Sequence, residues 1–167
     1  MNETNETTVV DTETPAASET GGAGSSEGAE TPAASETSVI NQVVEAVIGL
    51  MNAVNPFATV TRGALPTGVG LTCEVGPSTP LEVYLDKYSY IPLDVTMNGK
   101  HGNLKTLSDA MNDIHAALTR AVSYPSGDSW EIVDIVNYTL PQVIGRENNN
   151  EWLMASSLSV KFYWKGD

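Results

Sequence analysis

Trp152-Leu-Met-Ala-Ser-Ser-Leu-Ser-Val-Lys-Phe-Tyr-Trp164 is the stretch whose reading decides the fold class. Every second residue, from Trp152 through Met154, Ser156, Leu158, Val160 and Phe162 to Trp164, is large and apolar apart from one serine. The intervening Leu153, Ala155, Ser157, Ser159, Lys161 and Tyr163 are mostly small or polar. Side chains on a strand alternate between two faces, so this is the pattern of a half-buried antiparallel strand. At about 3.3 Å per residue it is roughly 40 Å long, about twice the usual strand. That length predicts that the strand overhangs its own sheet, leaving a part that must pair with, or lie against, something else.

Upstream, Trp130 to Tyr138 is rich in Ile and Val and reads as the partner strand. It is followed by Leu140-Pro141, and the polar run Arg146-Glu-Asn-Asn-Asn-Glu151 reads as a hairpin loop. Leu104, Leu107, Met111, Ile114, Leu118 and Val122 recur at helical spacing and predict a helix over 104–122. Tyr88 to Met97 alternates but contains Pro92, which predicts an edge strand or an irregular start, closed by an Asn98-Gly99 turn. Val69 to Val75 is a cleaner strand and Phe57 to Thr61 a short one, while Leu81 to Lys87 is a loop or a marginal strand. Ile40, Val43, Val44, Val47, Leu50, Met51 and Val54 predict a helix over 38–54, capped by Thr37 or Ser38 and stopped by Asn55-Pro56. The order predicts an α+β fold, with two helices on one face of a mostly antiparallel sheet.

Residues 1–37 differ in kind. They hold 8 of the 21 acidic residues and no Lys or Arg, and the octet Glu13-Thr-Pro-Ala-Ala-Ser-Glu-Thr20 returns unchanged as 30–37. With almost no apolar side chains to bury, this segment cannot offset the entropy of ordering and is expected to be a disordered acidic tail. The domain at 38–167 keeps 13 acids and 8 bases. That balance argues against sequence-specific nucleic-acid binding, which needs a basic face. One cysteine, Cys73, excludes an internal disulfide and fits a reducing compartment. No apolar run approaches the roughly 20 residues of a membrane span, and 1–11 lacks an export signal, so a soluble chain folded in the cytoplasm is expected.

In the order and pattern of its elements, about 38–165 resembles the small tail-terminator proteins of long-tailed phages, often labelled minor capsid proteins in phages of Gram-positive hosts. The residues that carry the likeness are the N-terminal helix, Val69-Gly-Leu-Thr-Cys73 with Pro77, Tyr90-Ile-Pro-Leu-Asp-Val95, Gly99-Lys100, and the helix with Leu107, Met111, Ile114 and Leu118. Trp130-x-Ile132, Leu140-Pro141-Gln-Val-Ile-Gly-Arg146-Glu147 and the terminal strand complete it. The resemblance implies a virion component assembled in the host cytoplasm, a homo-oligomeric ring, usually of six subunits, at the head–tail joint. It would stop growth of the tail tube and contact the tail-tube protein and a head-completion protein. DNA would pass through without specific binding, with no enzyme activity, cofactor or membrane involved. Residues 1–37 are not part of that family's pattern. A small α+β protein-binding module on a flexible acidic tether is the alternative reading.

No chemical constellation stands out beside it. His101 and His115 have no ligand spacing and are expected to be solvent-facing or half-buried, and Cys73 falls on the inward side of its strand. Asp109 and Asp113 lie one turn apart as a solvated pair, Ser156-Ser157 lacks a nucleophile elbow, and Gly68-Val-Gly70 lacks a phosphate-loop lysine. The interface candidates are Arg146, Glu147, Trp152, Tyr163 and Trp164, because Arg and aromatic residues dominate protein contacts. For Trp152 and Trp164 core packing is the competing reading, and for the 146–151 loop a plain solvated hairpin.

Overall fold

The computed structural model describes residues 36–63, 65, 68–76, 82–83 and 88–165; the expected disorder of the N-terminal tail falls almost wholly outside them. The elements in chain order are α1 (Glu36–Ala53), β1 (Val60–Arg62), β2 (Gly70–Val75), β3 (Glu82–Val83), β4 (Tyr88–His101), α2 (Leu104–Thr119), β5 (Trp130–Arg146) and β6 (Trp152–Lys165). The sheet runs β1-β2-β4-β6-β5, with β3 on the far end of β4. Only β1 and β2 are parallel, so this is an α+β fold of two helices on a mostly antiparallel sheet, as the pattern predicts.

The terminal strand does not overhang. All of Trp152–Lys165 pairs with β4, from His101↔Trp152 to Tyr88↔Lys165, and β5 lies on its other side. β6 is long because its neighbour is equally long. Nor is β4 an edge strand: it runs between β2 and β6. Pro92 is accommodated because β2 ends opposite Val95 and β3 begins opposite Tyr90, leaving a gap beside the residue that has no N–H to donate.

Asn98-Gly99 is not a turn but the interior of β4, and the chain reverses at His101–Asn103 instead. Gly99 serves close packing. A Cβ there would stand 2.6 Å from Leu107 Cδ1 and 2.9 Å from Leu71 Cδ2, so the missing side chain lets α2 approach the sheet. Asn103 caps α2 by accepting from the backbone N–H groups of Lys105 and Thr106.

Both helices cover one face. Ile91, Leu93, Val95 and Met97 of β4 and Met154, Leu158, Val160 and Phe162 of β6 meet Val43, Val47 and Met51 of α1 and Leu107, Met111, Ile114 and Leu118 of α2 in one core. Helix α1 begins at Glu36, so positions 37 and 38, expected to precede it, lie within it; Asn55 at φ 59 turns the chain out after its end. Helix α2 ends at Thr119, so Val122, counted in its apolar stripe, lies beyond it and is fully exposed.

Candidate interaction surface on the last hairpin

Strand β5 uses 17 residues to run beside 13 of β6, Trp152–Trp164, and the surplus of four is expelled at four irregularities. Val133, Tyr138 and Ile144 are each one extra residue, and the pair Leu140-Pro141 faces Ser156 alone. A residue inserted into one strand is left without a partner and re-aims its neighbours. The consequence is visible in exposure. Six large apolar side chains of β5 face water (Val133, Val136, Tyr138, Leu140, Val143 and Ile144), and four of them are these surplus residues. Tyr138 is 75% exposed and Leu140 63%.

The outer edge of β5 is covered only at its start. Ile132 donates its N–H to Pro125 O (3.2 Å), and Ser126 bridges to Glu131. Beyond Ile132 no described strand pairs with it. From Ile135 to Gly145 the strand carries no charged residue, with Asp134 at one end and Arg146 at the other. A long apolar edge is a liability in a solitary protein, and bulges are a usual means of breaking its ladder.

The five candidate interface residues fall into two groups at opposite ends of β6. At the hairpin end, the Arg146 guanidinium carbon lies 4.8 Å from the Trp152 ring centroid. Beside it, Glu147 accepts from Lys100 Nζ at 2.6 Å and Glu151 stands 3.6 Å from the same ammonium. The turn itself closes with Glu147 N donating to Glu151 O (2.8 Å), and Asn150 takes φ 65. Lys100 is covered by this turn, its side chain only 3% exposed. The hydrogen bond to Glu147 outweighs the opposing effect of burial and holds its pKa above the usual lysine value. The 146–151 loop is therefore pinned to the end of β4, not a free hairpin.

At the other end, the Tyr163 and Tyr90 rings lie 4.8 Å apart, with Lys161 Nζ 4.7 Å above the Tyr90 ring. Trp164 stands opposite Trp130, which donates its indole N–H to Gln42 Oε1 (2.9 Å). Trp152 and Trp164 are both half-buried against the core. About 11 residues, roughly 36 Å of strand, separate the groups. An open groove of about 710 Å³ beside Tyr163 is walled by Tyr90, Tyr124, Glu131 and Asp134.

Sequence reasoning missed one polar cluster. His115 of α2 is 3% exposed, neither solvent-facing nor half-buried. Its Nδ1 lies 2.6 Å from Asn137 Oδ1 and its Nε2 2.8 Å from Ser156 Oγ. The partners assign the protons: Nδ1–H donates to the amide oxygen, and the serine hydroxyl donates to Nε2. Burial lowers the His115 pKa, against an upward effect of Asn137. The connectivity matches a nucleophile relay. Ser156 is also 3% exposed. The one signal was Ser156 itself, the polar residue in an otherwise apolar row.

The remaining chemical candidates are placed as follows. Cys73 is buried, and burial pushes its thiol up to about 12. His101 is stacked edge-on against Phe57 (4.8 Å) and accepts from Asn103 N. Asp109 is paired with exposed Lys105 one turn away. Among the described residues there is no group of three or more His, Cys, Asp or Glu placed to hold a metal, and no described helix is long and apolar enough to cross a membrane.

No family model matches this sequence, and no curated protein matches it. Among solved structures, the chain is similar to one in the virion of a native gene transfer agent particle, at 12% identity and a TM-score of 0.48. The match covers 71% of this chain and 92% of that one.

Proposed function

We propose that this chain is a structural assembly protein of a phage particle, a tail terminator that forms a ring at the head–tail joint. In this reading it arrests tube growth by presenting one end to the last ring of tail-tube protein and the other to the head-completion protein. The observation that carries the proposal is the distal half of β5, a bulged, charge-free strip of exposed Val, Tyr, Leu and Ile side chains. Such a strip suits a protein surface, because burying it releases water from apolar area without desolvating charge.

Two further features fit a subunit with partners at both ends. Arg146, Glu147 and Trp152 lie at one end of β6, Tyr163 and Trp164 at the other, and each group offers the aromatic or Arg side chains on which protein contacts concentrate. The acidic balance, with a formal charge of −13, would let DNA pass without adhering. The ordered sequence pattern from about 38 to 165 supplies the identification of the role.

The test is genetic and structural together. Particles made without this chain should yield unjoined heads and tails of uncontrolled length; normal joined particles would refute the role. Deleting residues 1–35 separates this reading from that of a tethered binding module. A terminator assembles without them, whereas a tethered module loses its partner.

A further inference from the structure

The structure also indicates what covers β5 before any particle is available. We infer that two copies of this chain associate through the distal edges of their β5 strands, antiparallel, around a two-fold axis at Leu140. This inference does not rest on the terminator reading; it concerns the free protein.

The charge pattern selects the geometry. The Tyr124 hydroxyl reaches the backbone of Ile135, so the uncovered edge runs from Val136 to Arg146; the charges that bracket it are Asp134 just before one end and Arg146 at the other. Leu140 is the midpoint between them. An antiparallel meeting sets Asp134 of each copy opposite Arg146 of the other, and Val136 opposite Ile144. A parallel meeting would set like charge against like. Both charged residues are exposed: Arg146 rests its guanidinium over Trp152 of the neighbouring β6, where water still reaches it, and Lys161, the register partner of Asp134, is drawn over Tyr90. A surface matched to itself in this way makes a closed two-fold contact, not an open chain.

The size is small. Asp134 to Arg146 run beside Lys161 to Trp152 of β6, about 30 Å; at a width on the order of 15 Å the strip offers roughly 450 Å² per copy, in the range of weak, transient interfaces. The contact is carried by side chains more than by a ladder, since the bulges interrupt the edge and Pro141 has no N–H to donate. A micromolar dimer is the expected strength.

Sedimentation of the full chain from about 1 to about 100 μM tests this. The expected result is a monomer–dimer equilibrium that Arg146→Asp weakens about tenfold, Asp134→Arg weakens similarly, and the double substitution restores. Leu140→Cys adds a geometric readout. A residue on a two-fold axis meets its own copy, so mild oxidation should give covalent dimers of the single variant, while buried Cys73 stays unreacted. Both positions are exposed, so unchanged far-UV spectra and melting would show that folding is intact. A chain that stays monomeric throughout overturns the inference. So does an oligomer indifferent to Arg146→Asp in which Leu140→Cys fails to link to itself.

Discussion

The two halves of β5 are built from the same kinds of residue and live in different surroundings. Over Trp130–Ile135 the strand places Trp130, Ile132 and Ile135 in the core under the helices. Beyond Asn137 its Tyr, Leu, Val and Ile side chains stand in water. Composition does not separate the halves; coverage and register do. Helix α2 has 16 residues, about 24 Å, whereas β5 runs the length of Trp152–Trp164 on β6, about 40 Å. The hydrogen-bonded group of Ser156, His115 and Asn137 marks the boundary where helix cover ends. Before Asn137 the strand has both kinds of apolar residue, Trp130, Ile132 and Ile135 in the core and Val133 and Val136 in water; beyond it every large apolar side chain is exposed.

That contrast breaks most visibly with a paired truncation. Ile135→Ala should cost about 2–5 kcal/mol in a denaturant titration, because it leaves a cavity in the core. If it cost no more than a surface substitution, the proximal half would not be packed as described. Gly99→Ala should follow at about 1–3 kcal/mol, since its new methyl would press on Leu107 and Leu71 and lift α2 from the sheet. Full stability in that variant would mean that α2 does not depend on the close approach.

The boundary itself is sharpened by pH. Folding lowers the His115 pKa, so below about pH 6.5 the unfolded chain takes up a proton that the folded one resists. Stability present above pH 6.5 should therefore fall as pH drops from there toward the lowered folded value. In His115→Gln that segment of the profile should flatten, as read from urea midpoints at pH 5 and pH 7.5. An unchanged slope would place the titration elsewhere. Smallest of all, Leu140→Ala should shift the monomer's stability by no more than about 0.5 kcal/mol while weakening association.

The sequence foretold the α+β class because β6 and α2 carry clean periods of 2 and 3.6, each written by one buried face. β5 hid its distal half because each bulge reverses the parity of the strand. Ile132 and Ile135 share a face although they lie an odd number of residues apart, so no alternation was there to read. Gly99 was misread as a turn because a glycine needed for close packing is indistinguishable, in one dimension, from one needed for a positive φ. The apparent overhang of β6 came from judging a strand without knowing the length of its neighbour. Arg146, Glu147, Trp152, Tyr163 and Trp164 could be picked by residue type, but their division between two ends of a strand is a matter of register. His115 needed Asn137 and Ser156 beside it, 22 and 41 residues away in the chain.

The most direct test of the central claim, that distal β5 is a protein-contact strip, is amide hydrogen exchange across the whole chain, compared between dilute free protein and assembled particles. Protection gained over Val133–Arg146, with little change over Trp130–Ile132, is the predicted result. Exchange across Val133–Arg146 that stays as fast in the particle as in the free chain would contradict it.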